Sequence, residues 1–183
     1  VTNAELNSGD KLSTVDGEDY LNGNDSATIS KLNAGLFPEK EGESHNFVFK
    51  RDGGDFTASI PAANVAATPV QNTKTIDTPT GKVGYMTFNS HNSVSELQLI
   101  NSIKMLKDAG VTDLVLDLRY NGGGLLYVAS ELAYMIAGPE ATNGKIFEQT
   151  QYNDKLSAEP PTPFLSTAYG FPAPAGQVLP AFC

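Results

Sequence analysis

A strand–helix–strand–helix pattern between residues 83 and 137 constrains the fold more than any other part of this sequence. Val83 to Phe88 is a β-rich run, and Leu114 to Leu118 is a short apolar strand whose composition indicates burial on both faces. Between them, apolar residues recur at helical spacing from Val94 to Leu106, and Gly110 stands where a C-terminal glycine cap belongs. This order is typical of a βαβ unit, which predicts two parallel neighbouring strands joined by a right-handed crossover.

Local signals mark where the helices of this unit begin and end. Ser93-Val94-Ser95-Glu96 has the form of a capping box, which predicts the start of the first helix. The second helix is predicted from about Leu125 to Ala137, and Gly138-Pro139 ends it. The tail from Tyr152 to Cys183 is rich in Pro and Ala and is predicted to be loop with short extended pieces.

The first 66 residues predict a smaller α+β unit. A short strand that includes Leu12 and Val15 is closed by a turn at Asp16-Gly17. A helix capped by Asp25 or Ser26 follows and ends before Pro38, and alternating residues around Asp52-Gly53-Gly54-Asp55 predict a hairpin.

The segment from Ala62 to Thr80 shows no period and is predicted to be a connecting strand or linker. We therefore place the domain boundary near Ala66, with one domain over residues 1–66 and a second over residues 67–183. The predicted fold class is α/β, with an α+β arrangement in the chain as a whole.

Composition excludes several function classes. Twelve basic and twenty-one acidic residues give a net charge of −9 with the acids scattered, which disfavours binding to a phosphate backbone. No apolar run approaches the roughly 20 residues that cross a bilayer. His45 and His91 are isolated and Cys183 has no second cysteine nearby, so no metal site is predicted. Cys183 is expected to be an ordinary buried thiol, and both ends of the chain, beginning at Val1, look cut.

The sharpest chemical feature is the stretch Leu116-Asp117-Leu118-Arg119-Tyr120-Asn121-Gly122-Gly123-Gly124, a buried strand that breaks into three glycines before a helix. Such a turn lets a substrate approach the backbone, and free N–H groups at the helix start favour an anion. The anion is a phosphate or the oxyanion of an acyl transfer, and Leu125-Leu126-Tyr127 supplies neither the Lys nor the hydroxyl of a phosphate loop. On spacing alone, a purely structural turn stays slightly ahead of oxyanion binding.

The order and content of these segments resemble the C-terminal processing (tail-specific) serine proteases, relatives of the tricorn catalytic domain. The resemblance rests on Val83-Gly84-Tyr85-Met86-Thr87-Phe88-Asn89, on the amphipathic helix, and on Leu114 to Arg119 with Asn121 to Gly124. Gly9-Asp10 through Val15-Asp16-Gly17 is similar to the glycine–aspartate motif of the bacterial PDZ domains that precede this core. The resemblance covers most of residues 5–140.

The resemblance implies a partial PDZ-like domain over residues 1–66, whose peptide-carboxylate loop would lie before Val1. It also implies an incomplete βαβ core of the ClpP/crotonase type over residues 67–183. In the family, the glycine turn donates a backbone N–H to the oxyanion hole, which here falls on Gly123 or Gly124. The family's nucleophile is a serine in a Ser/Ala-rich motif after the next core strand, and its base is a lysine on a later helix. Neither motif is present, so the chain is expected to be a fragment that is inactive alone.

Three side chains near the turn have more modest expected roles. Arg119 beside Asp117 is expected to form a structural ion pair or hydrogen-bond anchor, although it could neutralise a substrate carboxylate. His91 invites a general-base role, but without a paired nucleophile it is expected to be a polar loop histidine. No substrate-binding residue is assigned from the sequence.

For the parent protein, the resemblance implies a Ser/Lys-type serine endopeptidase that cleaves unfolded or C-terminally exposed polypeptides. It implies no cofactor and a periplasmic or secreted location in bacteria, while the oligomeric state stays open. The alternative function is a peptide-binding PDZ adaptor with a degenerate protease-like core that never cleaves. A further alternative is an anion-binding α/β domain.

Overall fold

The computed structural model describes residues 6, 7 and 9–182, so the expectation for Cys183 lies outside the described residues. The chain divides into two compact units, the first ending at Ala66 and the second beginning at Ala67. The first unit contains one sheet and the second contains two, and each unit is described separately below.

The first unit is a four-stranded antiparallel sheet with one helix. Its elements are β1 (Lys11–Val15), β2 (Glu18–Asp19), α1 (Ser26–Leu36), β3 (Ser44–Arg51) and β4 (Gly54–Pro61). The strand order is β2-β1-β3-β4, and β3 and β4 form the predicted hairpin with Phe49 opposite Phe56. The short predicted strand that includes Leu12 and Val15 is β1, which pairs with both β2 and β3.

The start of α1 follows the sequence prediction. Asp25 is the N-cap, and its Oδ1 accepts hydrogen bonds from the backbone N–H groups of Ala27 at 3.1 Å and Thr28 at 3.0 Å. These bonds satisfy two of the N–H groups that a helix start leaves unpaired. The helix ends at Leu36, two residues before Pro38, which cannot continue it.

The second unit contains a three-stranded sheet, a two-stranded sheet and two helices. Its elements are β5 (Val70–Thr78), β6 (Gly81–Phe88), α2 (Ser95–Asp108), β7 (Asp113–Asp117), α3 (Leu126–Thr142), β8 (Ile146–Glu148) and β9 (Thr162–Pro163). The larger sheet has the order β5-β6-β7, with β5 antiparallel to β6 and β6 parallel to β7, and β8 pairs with β9 in the smaller one. The parallel register runs from Val83 opposite Asp113 to Thr87 opposite Asp117, which confirms the predicted pairing, and α2 connects the two strands.

The core of the second unit lies between the sheet, its helices and the C-terminal tail. Met86 and Phe88 of β6 are fully buried and belong to one cluster with apolar residues of α2 and α3. Ala168, Ala173 and Leu179 of the tail belong to the same cluster, so the predicted loop region is tied to the core. In the residues that the structure describes, no helix is long and apolar enough to cross a membrane.

Two predicted helix ends differ in detail from the structure. The capping box is wrong: Val94 occupies the N-cap of α2 without a side-chain bond to the helix, and Glu96 is fully buried. Helix α3 bends at Gly138, whose φ of 77° is not helical, but one more turn continues to Thr142. The C-terminal cap of α2 is as predicted, because Gly110 follows Ala109 with a φ of +74°.

Candidate functional site

The glycine turn connects the end of β7 to the start of α3. Gly123 has a φ of +89° and Gly124 a φ of +137°, whereas Gly122 has no positive φ. Residues other than glycine rarely adopt these two backbone conformations. A Cβ on Gly124 would also lie 2.3 Å from the carbonyl oxygen of His91, while nothing lies within 4 Å of a Cβ built on Gly122 or Gly123. Position 124 therefore requires glycine for both conformation and space.

The turn is fastened to the segment that follows β6. The N–H of His91 donates to the carbonyl of Gly123 at 3.0 Å, and the N–H of Leu125 donates to the carbonyl of His91 at 2.7 Å. His91 and Gly124 thus form an isolated parallel β-bridge. Gly124 lies between the two turn residues that bond to His91, so its N–H points away from the His91 segment. Among the described residues, the N–H of Gly124 has no hydrogen-bond acceptor.

Asn121 joins three parts of the site through its side-chain amide. Its Oδ1 accepts a 2.8 Å bond from the N–H of Gly123, and its Nδ2 donates a 2.8 Å bond to the carbonyl of Phe88. The Nδ1 atom of His91 lies 2.9 Å from the same Oδ1. Because Oδ1 can only accept, His91 carries its proton on Nδ1 in this arrangement. The imidazole also packs on the Phe88 ring, with 4.4 Å between ring centroids.

Asn121 was missed by the sequence analysis as a residue of the site. Its position after a strand and before the glycines is one where an Asn side chain often bonds backbone two residues further on, as it does here with Gly123. That local signal was available in the sequence. The bonds to Phe88 and His91 had no such signal, because these partners are 33 and 30 positions away from Asn121 in the sequence.

Asp117 and Arg119 form the expected anchor. Arg119 donates from Nε at 3.0 Å and from a terminal nitrogen at 2.7 Å to the Asp117 carboxylate, which also accepts the Tyr85 hydroxyl at 2.7 Å. These bonds, that from Arg119 foremost, hold the pKa of the Asp117 carboxyl well below its usual range. The Arg119 side chain is 77% exposed, so one partner of this ion pair is accessible to solvent.

Two fully buried glutamates, absent from the sequence predictions as functional residues, hold a segment of the tail. Glu96 accepts the N–H of Gly170 on Oε1 at 2.9 Å, and on Oε2 the N–H groups of Phe171 at 2.8 Å and Ala173 at 3.1 Å. Glu131 accepts the N–H of Tyr169 at 2.7 Å. We call residues 168–173 the clamped loop. Its partners lie 38 to 77 residues away in sequence, beyond the reach of a local pattern.

Glu131 is in an unusual electrostatic setting. Its second oxygen, Oε2, is buried and has no hydrogen-bond partner among the described residues. Burial raises the pKa of the Glu131 carboxyl to about 7, and the nearby charge of Glu96 acts in the same direction, against the bond from the Tyr169 N–H. A proton on Glu131 removes the repulsion that two charged, buried carboxyl groups would otherwise exert on each other.

Three aromatic rings meet next to the clamped loop. The rings of Tyr127 and Tyr169 stack with centroids 4.2 Å apart and an interplanar angle of 4°. Phe171 lies 5.2 Å from Tyr169 and 6.3 Å from Tyr127. We call these three residues the aromatic cluster. Tyr127 is 37% exposed and Tyr169 is 52% exposed, so part of each tyrosine is accessible to solvent.

A cavity of about 580 Å³ lies elsewhere in the second unit, near the end of α3. Tyr134, Pro139, Lys145 and Phe164 contribute to its lining, and no residue of the glycine turn does. No group of three or more metal-ligating side chains occurs in the part of the chain that the structure describes.

Comparison with known proteins gives one family and several relatives. The model of peptidase family S41 matches residues 82–174, half of the chain. A carboxyl-terminal-processing protease of Picosynechococcus sp. is 35% identical over 78 residues, 42% of this chain and 18% of the relative. The chloroplastic carboxyl-terminal-processing peptidase 1 of Arabidopsis thaliana is 30% identical over 136 residues, 71% of this chain and 26% of the relative. The chain therefore spans about a quarter or less of the length of these relatives.

A solved structure supports the fold. A protein from Bacteroides fragilis described as an S41 protease superposes with a TM-score of 0.50 over 84% of this chain and 41% of its own length. The sequence identity is 21%, so this likeness concerns the fold alone. The matched family region includes the glycine turn, both glutamates and the aromatic cluster.

Proposed function

This chain belongs to peptidase family S41, and from that membership we propose that its parent protein is a serine endopeptidase acting on unfolded or C-terminally exposed polypeptides. The observation that carries the proposal is the Gly124 N–H, which has no acceptor among the described residues and lies in the region that the family match covers. A backbone donor fixed at the end of a parallel strand suits a charge that develops during acyl transfer.

The proposed reaction follows a Ser/Lys mechanism in which this chain supplies the oxyanion donor. A neutral lysine accepts the serine proton as the serine oxygen attacks the peptide carbonyl, and later returns that proton to the leaving amine. Water then hydrolyses the acyl-enzyme. We place both the serine and the lysine outside these 183 residues, so the chain alone is proposed to be inactive.

Gly124 is the better of the two proposed oxyanion donors. The N–H of Gly123 is already bonded to Asn121 Oδ1 at 2.8 Å, so a substrate oxygen would have to displace that bond. The N–H of Gly124 needs no such displacement, and the bonds between His91 and the turn hold its peptide plane in place. A donor of this kind contributes about 3 kcal/mol to transition-state stabilisation.

For the rest of the chain we propose the assignments that the family resemblance implies. The first unit is a partial PDZ-like domain, and the second is part of a protease core of the ClpP/crotonase type. The location is proposed to be periplasmic or secreted. One of the relatives named above is a chloroplastic peptidase.

The test uses the parent enzyme and single alanine substitutions in the glycine turn. Gly124→Ala is expected to lower kcat by about a hundredfold or more while KM changes much less, the pattern of an interaction made in the transition state. Gly122→Ala is the matched control, since Gly122 has no positive φ and open space around its Cβ. Thermal melting of each variant reports whether it remains folded.

A second substitution separates donor loss from steric disturbance. Replacing Gly124 by glycolic acid through semisynthesis removes the N–H but adds no Cβ, so the close contact with His91 does not arise. A comparable fall in kcat supports the oxyanion role. Near-normal kcat in the ester variant means that the turn is only structural. A parent protein that binds peptides but never cleaves them points instead to the adaptor function.

A further inference from the structure

The clamped loop lies at the surface, but it is held by two buried carboxyl groups, whose burial is unfavourable in free energy. Four of its backbone N–H groups bond to the carboxylates of Glu96 and Glu131, both fully buried. Burying two carboxyl groups side by side is unfavourable, because each loses its hydration and they repel when both are charged. These bonds fix the backbone at Tyr169 and Phe171, which are two of the three residues of the aromatic cluster.

The loop is held at the same end of the fold as the glycine turn. Glu96 is the second residue of α2, which follows β6, and Glu131 lies in the second turn of α3, which follows β7. Both helices therefore begin at the carboxyl ends of the two parallel strands, where the glycine turn also lies. In open α/β sheets this end is where ligands bind.

The aromatic cluster lies within a short reach of the proposed oxyanion donor. Tyr127 is three residues after Gly124, so their Cα atoms are at most about 11 Å apart along the chain. An extended peptide advances about 3.3 Å per residue, which places the cluster within about three substrate residues of the scissile bond. Tyr127 and Tyr169 are 37% and 52% exposed, and covering their apolar atoms with an apolar side chain is favourable.

We propose that Tyr127, Tyr169 and Phe171 form a subsite that selects one bulky apolar or aromatic side chain of the peptide substrate, within three residues of the scissile bond. This inference rests on the proposed peptidase function. The stacked pair of tyrosines supplies a flat apolar wall, and their hydroxyl groups can stay hydrated at its edge. Glu96 and Glu131 act as positioning residues, because they touch the loop and not the substrate.

The test measures selectivity in the parent enzyme. Peptides identical except for Phe, Leu, Ala or Asp at one position are compared, with each of the three positions on either side of the scissile bond varied in turn. At one position the wild-type enzyme is expected to prefer Phe or Leu over Ala by about tenfold or more in kcat/KM. Tyr169→Ala and Phe171→Ala are expected to reduce that ratio to about 1.

Two further variants make the comparison specific. Tyr169→Phe keeps the aromatic ring and is expected to keep the preference for Phe or Leu. If the Tyr169 side chain had only a structural role, Tyr169→Ala would leave this preference unchanged. Tyr152→Ala removes a 39%-exposed tyrosine outside the aromatic cluster and is the matched control for loss of an exposed ring. The backbone bonds of residues 169 and 171 to the glutamates do not depend on their side chains, so the truncated variants are expected to fold.

A binding measurement separates failure of this inference from failure of the proposed function. Fluorescence anisotropy of labelled Phe and Ala peptides reports affinity without cleavage. If the parent cleaves nothing, the peptidase proposal fails, and the subsite then stands only if the Phe peptide binds about tenfold tighter and Tyr169→Ala removes the difference. Cleavage without a preference, or a preference that both alanine variants retain, overturns the subsite.

Discussion

Glu131 illustrates how the surroundings of one side chain set its chemistry. The carboxyl is buried, accepts one backbone hydrogen bond from Tyr169 and faces a second carboxyl on Glu96. Burial is the larger effect and raises its pKa from 4.5 to about 7. The folded chain therefore holds a proton on Glu131 over a pH range in which the unfolded chain has lost it, and this difference links pH to stability.

We expect the thermal stability of the chain to fall as pH rises from about 4.5 to about 7 and to level off above that range. The folded state binds more protons than the unfolded state in this window, so the free energy of unfolding decreases with pH. Glu131→Gln, which keeps an oxygen for the Tyr169 N–H but does not titrate, is expected to remove this part of the slope. Melting temperatures between pH 5 and pH 8 measure the effect.

The control for this experiment is Glu140→Gln, a change at an exposed glutamate of the same helix. It is expected to leave the pH slope of the melting temperature unaltered. Equal slopes in the wild type and in Glu131→Gln would mean that Glu131 titrates normally in the folded chain.

Among the elements, those whose signals are local match the sequence predictions best. The Asp25 cap of α1, the hairpin of β3 and β4 and the parallel pair of β6 and β7 all follow from short-range patterns. The start of α2 does not. Its capping-box pattern assigned Glu96 to the helix end, but the side chain bonds to residues 74 to 77 positions further along. A local pattern cannot reveal so distant a partner.

The candidate site divides in the same way. The strand-to-helix glycine turn could be predicted, because an apolar strand, three glycines and a helix follow one another directly. Its attachment to His91 could not, since that depends on which strand ends meet in the sheet. The aromatic cluster was missed for the same reason: Tyr127 and Tyr169 are 42 positions apart and meet only because buried carboxylates hold the loop.

At α1, replacing the cap is expected to loosen the first turn of the helix. Asp25→Ala removes the acceptor for the Ala27 and Thr28 N–H groups and should cost about 1 kcal/mol of local stability. Asp25→Ser retains a capping oxygen and should cost little. Hydrogen exchange of the α1 amides, followed by NMR, measures the local opening free energy. If the α1 amides of Asp25→Ala exchange at the wild-type rate, the cap bonds contribute nothing.

At the scale of the whole molecule, several hydroxyl groups and both imidazoles of the described residues form structural hydrogen bonds. Ser95 Oγ donates to the Ser90 carbonyl at 2.6 Å, and Ser130 Oγ donates to the Pro163 carbonyl at 2.9 Å. His45 contacts the carboxylate of Asp16, and His91 the amide of Asn121. In residues 6, 7 and 9–182, no serine hydroxyl is hydrogen-bonded to a histidine or a lysine. A general base bonded to the hydroxyl is one way in which enzymes activate a serine nucleophile.

We therefore expect no peptide hydrolysis by the 183-residue chain alone, and we expect cleavage by the proposed parent peptidase. An unfolded protein substrate is incubated with each, and the products are followed by mass spectrometry. A fluorophosphonate probe, which acylates activated serines, is applied in parallel after Cys183 has been blocked with iodoacetamide. The parent should be labelled at a serine outside residues 1–183, and the chain alone should not be labelled. Turnover by the chain alone, abolished by the probe and with the label on one of its own serines, would show that the nucleophile lies within it, and the division of catalytic groups proposed above would then be wrong.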